Sequence, residues 1–165
     1  LVISMTKATD RIGEEIEAPP FRADDWPFHW ITRVAGRYFQ AMEGVLKPLG
    51  LDVAQWRVLM CLDERGGRSV SEIAEICIIK LNTTTKIVQR MTADELVVCR
   101  PRRRDARVTE VRLTPKGRAL QQKARAEAEA VFTEAFEGLD PGRIAAMNHL
   151  LAEVSERLVP RRPEA

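Results

Sequence analysis

Leu81-Asn82-Thr83-Thr84-Thr85-Lys86-Ile87-Val88-Gln89-Arg90-Met91 is the stretch whose reading decides the fold. Ile87, Val88 and Met91 fall on one side of a helix, and Thr83, Thr85, Lys86, Gln89 and Arg90 lie on or near the other. Small hydroxyls, an amide and cations suit base edges and phosphates in a major groove. Just downstream, Leu96-Val97-Val98-Cys99 and Val108 to Leu113 are β-prone runs. Between them lies Arg102-Arg103-Arg104-Asp105-Ala106-Arg107, so the runs pair as an antiparallel hairpin with a cationic tip. A polar-faced helix beside a basic two-stranded loop is what a protein needs to read one groove of DNA and grip the next.

Working upstream, Asp52 with Gln55 forms a capping-box pattern for a helix carrying Val53, Trp56, Leu59, Met60 and Leu62, ending near Gly66-Gly67. Ser71 is expected to cap a short third helix with Ile73, Ala74 and Cys77 facing inward. A fourth helix, beginning at Asn82, completes a helix-turn-helix rhythm. The first long helix follows Asp25 as N-cap, with Ile31, Val34, Ala35, Tyr38, Phe39, Met42, Val45 and Leu46 recurring at three and four, and ends at Pro48 and Gly50. Pro101 must lie at a sheet edge or near the hairpin tip, because it has no amide hydrogen. Thr114-Pro115 opens a long helix closed by Gly138. Asp140-Pro141 opens the last, with Ile144, Met147, Leu150, Leu151, Val154 and Leu158 on one face before Pro160.

The predicted fold is therefore mainly α with a small β wing. Residues 1–24 form an N-terminal arm, 51–114 a winged helix-turn-helix domain, 25–50 and 115–158 a helical dimerisation region, and 159–165 a C-terminal tail. The dimer follows from an accounting of apolar surface. Phe39, Met42, Leu150, Leu151, Val154 and Leu158 exceed what the winged unit can cover, and a twofold dimer both buries them and matches a pseudo-palindromic DNA site.

At 165 residues the chain has room for one well-filled core, and 45% hydrophobic residues argue against wholesale disorder. A net charge of +2 says little about partners. Its clustering says more: Arg100, Arg102, Arg103, Arg104, Arg107, Arg112, Lys116 and Arg118 face only Asp105 and Glu110 over the same span. Cys61, Cys77 and Cys99 lack metal-ligand spacing, and His29 and His149 lie far from them in sequence. No nucleophile and base pattern is present, so neither catalysis nor a metal or other cofactor is expected. No apolar run approaches the ~20 residues needed to cross a bilayer, and the first residues are too short for a secretory signal, which predicts a reduced, cytoplasmic protein with no membrane partner.

The order of elements, and above all Asp105-Ala106-Arg107-Val108-Thr109-Glu110-Val111-Arg112-Leu113-Thr114-Pro115-Lys116-Gly117, resembles the MarR family of winged helix-turn-helix transcriptional regulators over about Trp26 to Leu158. The resemblance implies a homodimer on double-stranded DNA. Asn82, Thr83, Thr85, Lys86, Gln89 and Arg90 would approach the major groove, with Arg102, Arg103 and Arg104 in the basic wing. Arg107 would enter the minor groove, oriented by a charge-assisted hydrogen bond that it donates to Asp105. Glu95 stands where the family often has glycine. The resemblance further implies repression relieved by a small aromatic or phenolic anion, for which Trp30, Arg33, Arg37 and Trp56 offer walls and cations. A thiol-based redox sensor and a helical interaction protein that does not bind DNA are the alternatives. The sensing cysteine of redox-responsive relatives lies near the start of the first long helix, where this chain has none.

Overall fold

The computed structural model describes residues 22–62, 66–102 and 105–158. The N-terminal arm lies almost wholly outside the described residues, as do the C-terminal tail, Arg103 and Arg104. Elements follow in the order α1 (Pro27–Leu46), α2 (Val53–Cys61), β1 (Arg68–Ser69), α3 (Val70–Cys77), α4 (Leu81–Ala93), β2 (Val97–Arg102), β3 (Asp105–Leu113), α5 (Pro115–Phe136) and α6 (Pro141–Arg157). By internal contacts the chain divides into residues 1–36 and 37–165, and α1 runs across the division.

In the first unit a 3-10 turn at Ala23–Asp25 precedes α1, so Asp25 ends that turn instead of capping the helix. The Trp30 indole donates to the Asp24 carbonyl at 2.9 Å, and His29 lies 3.7 Å from the Asp24 carboxylate.

The second unit holds the core. Met42 and Leu46 meet Trp56, Val58 and Leu59 of α2, Ile73 and Cys77 of α3, Ile87, Val88 and Met91 of α4, and Val97, Val111 and Leu113 of the sheet. Met42, expected on the exposed stripe, is completely buried here. The reason is that the last turns of α1, within this unit, pack Met42 and Leu46 into the helix-turn-helix core.

Local chemistry sets the helix limits. Asp52 and Gln55 form the capping box, with Gln55 N donating to Asp52 Oδ1 at 2.7 Å and Asp52 N to Gln55 Oε1 at 3.0 Å. α2 then stops at Cys61, well before the glycine pair, and the Gln121 amide on α5 donates to the carbonyls of Leu59 and Leu62. Ser69, not Ser71, caps α3: its hydroxyl accepts from Glu72 N, and Glu72 Oε2 accepts from Ser69 N at 2.6 Å. α4 starts one residue earlier than expected, at Leu81. At its C-terminus Glu95 adopts φ 60°, the left-handed region, with Leu96 N donating to Met91 O and Glu95 N to Thr92 O. These two bonds satisfy terminal carbonyls of the helix, with Leu96 and Met91 both buried, and a glutamate holds the left-handed position at the expense of some backbone strain.

The sheet has the order β1-β3-β2, all antiparallel. Val97 pairs with Leu113 and Pro101 with Thr109, and the register breaks between Pro101 and Arg102. β2 is thus an edge strand, as Pro101 requires. β1, only two residues long, adds Arg68 opposite Val111 and Ser69 opposite Glu110. α5 leaves the sheet through Thr114, whose hydroxyl accepts from Gly117 N at 2.9 Å.

α6 buries none of its residues, and α5 buries only Gly117 and Ala124. Phe39, Phe132, Leu139, Met147, Leu150, Leu151 and Leu158 are each at least 40% exposed.

Candidate nucleic-acid interface

α4 presents Asn82, Thr83, Lys86, Gln89 and Arg90 to solvent, with Thr85 half-buried, while Thr84, Ile87, Val88 and Met91 are buried. The period that sorted these residues in the sequence therefore holds, except that Thr84 turns inward and donates to the Lys80 carbonyl at 3.2 Å. Asn82 Oδ1 accepts from Thr83 N at 2.8 Å, which leaves its amide hydrogens facing out. Arg90 reaches across to Asp52 at 2.5 Å and ties α4 to the start of α2. Lys86 makes no such tie.

In the wing, Asp105 Oδ1 accepts from the backbone amide of Arg107 at 3.0 Å. This corrects the expectation that Asp105 holds the Arg107 guanidinium. The carboxylate shapes the tip of the chain, and the Arg107 side chain is left exposed.

Arg102 is the larger departure. Its Nη2 donates to Glu72 Oε2 at 2.6 Å and its Nε to Glu110 Oε1 at 2.8 Å. Arg112 donates to the other Glu110 oxygen at 2.7 and 3.0 Å. The side chain expected to extend the cationic tip instead fastens the wing to α3, through the same Glu72 that completes the α3 cap. Hydrogen bonding from Arg102, helped by the Ser69 amide, lowers the Glu72 pKa to about 2. Arg112, then Arg102, holds Glu110 below the usual carboxylate range. The same pairs raise the Arg102 pKa. Glu110 is buried, with its charge fully shared between two arginines.

Other cations also serve the fold. Arg57 donates to the Cys77 carbonyl and Arg68 to that of Cys61, while Lys116 donates to Asp94 O at 2.8 Å, so each sits at the C-terminal end of a helix. Among the described residues between 80 and 118, the side chains of Lys80, Lys86, Arg100, Arg107 and Arg118 carry neither an ion pair nor a hydrogen bond. Lys80, Lys86 and Arg107 belong to the α4 and wing surface. Arg100 and Arg118, with Arg112, Thr114, Val98 and Gly66, line a groove of about 430 Å³ at the base of the sheet.

The ligand candidates divide between the two units. Trp30 and Arg33 are exposed in the first. In the second, Arg37 is exposed and Trp56 lies in the core, 5% accessible. Cys77 is buried, Cys61 half-buried and Cys99 exposed.

Residues 49–108 match a model of the MarR family. Over 138 residues the chain is 44% identical to the HTH-type transcriptional repressor IacR of Pseudomonas putida, covering 84% of this chain and 83% of the repressor. The chain belongs to the MarR family.

Solved structures agree with that assignment. BpsR of Bordetella bronchiseptica, whose DNA binding is regulated by 6-hydroxynicotinic acid, is 27% identical with a TM-score of 0.73, covering 82% of this chain and 97% of BpsR. CouR, a transcriptional repressor of Rhodococcus jostii solved on a 23-mer DNA duplex, is 25% identical with a TM-score of 0.72, covering 80% and 94%. This MarR-family chain is accordingly a DNA-binding transcriptional repressor and not an enzyme. Sequence reasoning missed Glu72 and Glu110 as partners of the wing. Ser69-Val70-Ser71-Glu72 does carry a capping-box signal that would have found the first, but nothing local pairs either glutamate with Arg102.

Proposed function

We propose that this MarR-family repressor acts in the cytoplasm as a homodimer on a pseudo-palindromic operator, and that a small aromatic or phenolic anion releases it. The observation that carries the DNA reading is the set of unpaired cations, Lys86 on α4 and Arg107 on the wing, beside the polar face Asn82, Thr83, Thr85 and Gln89. A cation with no partner in the protein loses no internal bond when it meets a phosphate or a narrow minor groove. Arg102 acts here by holding the wing against α3. The exposed apolar residues of α5 and α6, with Phe39 of α1, support the dimer, because a patch of that kind on a water-soluble chain calls for a partner surface. Residues 25–50 and 115–158 are its dimerisation region and 51–114 its reading head. Effector release is supported by the regulation of BpsR by a small aromatic acid. Trp30 and Arg33 in the first unit, and Arg37 in the second, are the accessible candidates to meet such an anion, whereas Trp56, 5% accessible, serves the core.

Binding to the DNA upstream of its own gene tests the reading. Arg107→Ala should weaken it by ~1–3 kcal/mol. Lys86→Ala should weaken all sequences alike and flatten the salt dependence of the binding constant by about one ion. Unchanged affinity in both variants refutes the assigned surface, and a monomeric particle in sedimentation refutes the dimer.

A further inference from the structure

We propose that α4 recognises thymine in the operator, Leu81 packing on the C5-methyl group while the adjacent Asn82 amide donates to O4. The inference rests on the placement of α4 in the major groove.

Leu81 is the first residue of α4 and is 56% exposed: it stands in line with the buried Thr84 and Val88, three and seven residues on, but at the N-terminal end of that row it remains open to solvent. One turn on, at the same flank, Thr85 donates its hydroxyl to the Leu81 carbonyl at 2.9 Å. That bond engages the hydroxyl, so what Thr85 has left to offer beside Leu81, one turn away, is its methyl group. In helical projection Asn82 borders this pair on its solvent side. Its carbonyl oxygen is occupied by the Thr83 amide, so what it offers is N–H. An apolar surface beside an N–H donor is the complement of a thymine edge, the only base edge in the major groove that sets a methyl group beside an acceptor. The charges around the pair select the same occupant: Lys80 and Lys86 flank it without partners, and the first turn of α4 contains no acidic residue to repel phosphate. An apolar protein partner would gain nothing from such a cationic border.

The test uses the full chain and a duplex that it selects from a random pool. Thymines are replaced one at a time by deoxyuridine, which removes the methyl group and nothing else. Loss of affinity of roughly threefold to fivefold is expected at one thymine in each half-site. Leu81→Ala, an exposed substitution, should keep the wild-type melting temperature, bind more weakly and no longer distinguish thymine from uracil there. Arg107→Ala should bind more weakly yet keep the wild-type ratio. A selected duplex indifferent to every methyl group overturns the thymine assignment alone, as does a preference that survives in Leu81→Ala. A pool that enriches no sequence overturns the underlying placement of α4 as well.

Discussion

Gly117 joins the wing to the long helix α5, and its replacement by Ala has consequences that can be worked from the geometry. A Cβ built there lies 1.9 Å from the Leu96 carbonyl oxygen and 2.9 Å from the carbonyl carbon. Cβ contacts shorter than 3.0 Å essentially never occur, so the two backbones must separate by at least about 1.1 Å. The obstacle is backbone and cannot rotate away. Leu96 is also fixed on both sides: its amide donates to Met91 O at 2.9 Å, and its carbonyl accepts from Thr114 N at 3.1 Å. Overpacking of this kind costs about 1–3 kcal/mol, and a stretched Leu96–Thr114 bond adds ~0.5–1.5 kcal/mol. The better helix propensity of Ala offsets roughly 0.5–1 kcal/mol of that. A net loss of ~0.5–4 kcal/mol, centred near 2, should lower the melting temperature by roughly 4–8 °C at that centre for a chain of this size. Thermal unfolding followed by circular dichroism, with a urea titration to confirm that the slope is unchanged, measures it. A variant as stable as the parent would refute the close approach of α5 to Leu96, and with it the rigid junction between wing and helix.

Two further outcomes follow from the ion-pair cluster. Arg102→Gln should loosen the wing and reduce operator affinity while leaving the salt dependence of binding as in the parent. If the dependence instead falls by about one ion, Arg102 contacts phosphate directly and the clamp is misassigned. Glu72 has a folded pKa near 2, below the ordinary 4.5, so its contribution to stability is fully present above pH 4.5 and is lost as the pH falls toward 2. Glu72→Gln should therefore flatten the acid limb of the stability profile in that window. Parallel profiles for the two proteins would show that the carboxylate is not held by Arg102.

The sequence by itself determined much of what depends on period or on bonds a few residues long, although it placed the α3 cap at Ser71 instead of Ser69 and the α1 cap at Asp25. The two faces of α4 were legible because buried and exposed positions repeat at helical spacing. The Asp52–Gln55 box, the Thr114-Pro115 start and the Asp140-Pro141 start were legible because a cap and its target lie within one turn. Pro101 announced an edge strand, since its missing amide hydrogen excludes a central one. Only the tertiary structure decided which of many arginines are available. Arg102 and Glu72 are thirty positions apart, and whether a guanidinium at a wing tip faces DNA or a glutamate depends on where α3 packs, not on its neighbours in the chain. β1 was invisible for the same reason, because two residues carry no period and become a strand only when β3 lies beside them. Gly117 was readable as part of a family pattern, yet its cause is the Leu96 carbonyl pressed against α5. Periodicity reports how a segment meets solvent, but ion pairing and close approach are set by which distant segments share the same space.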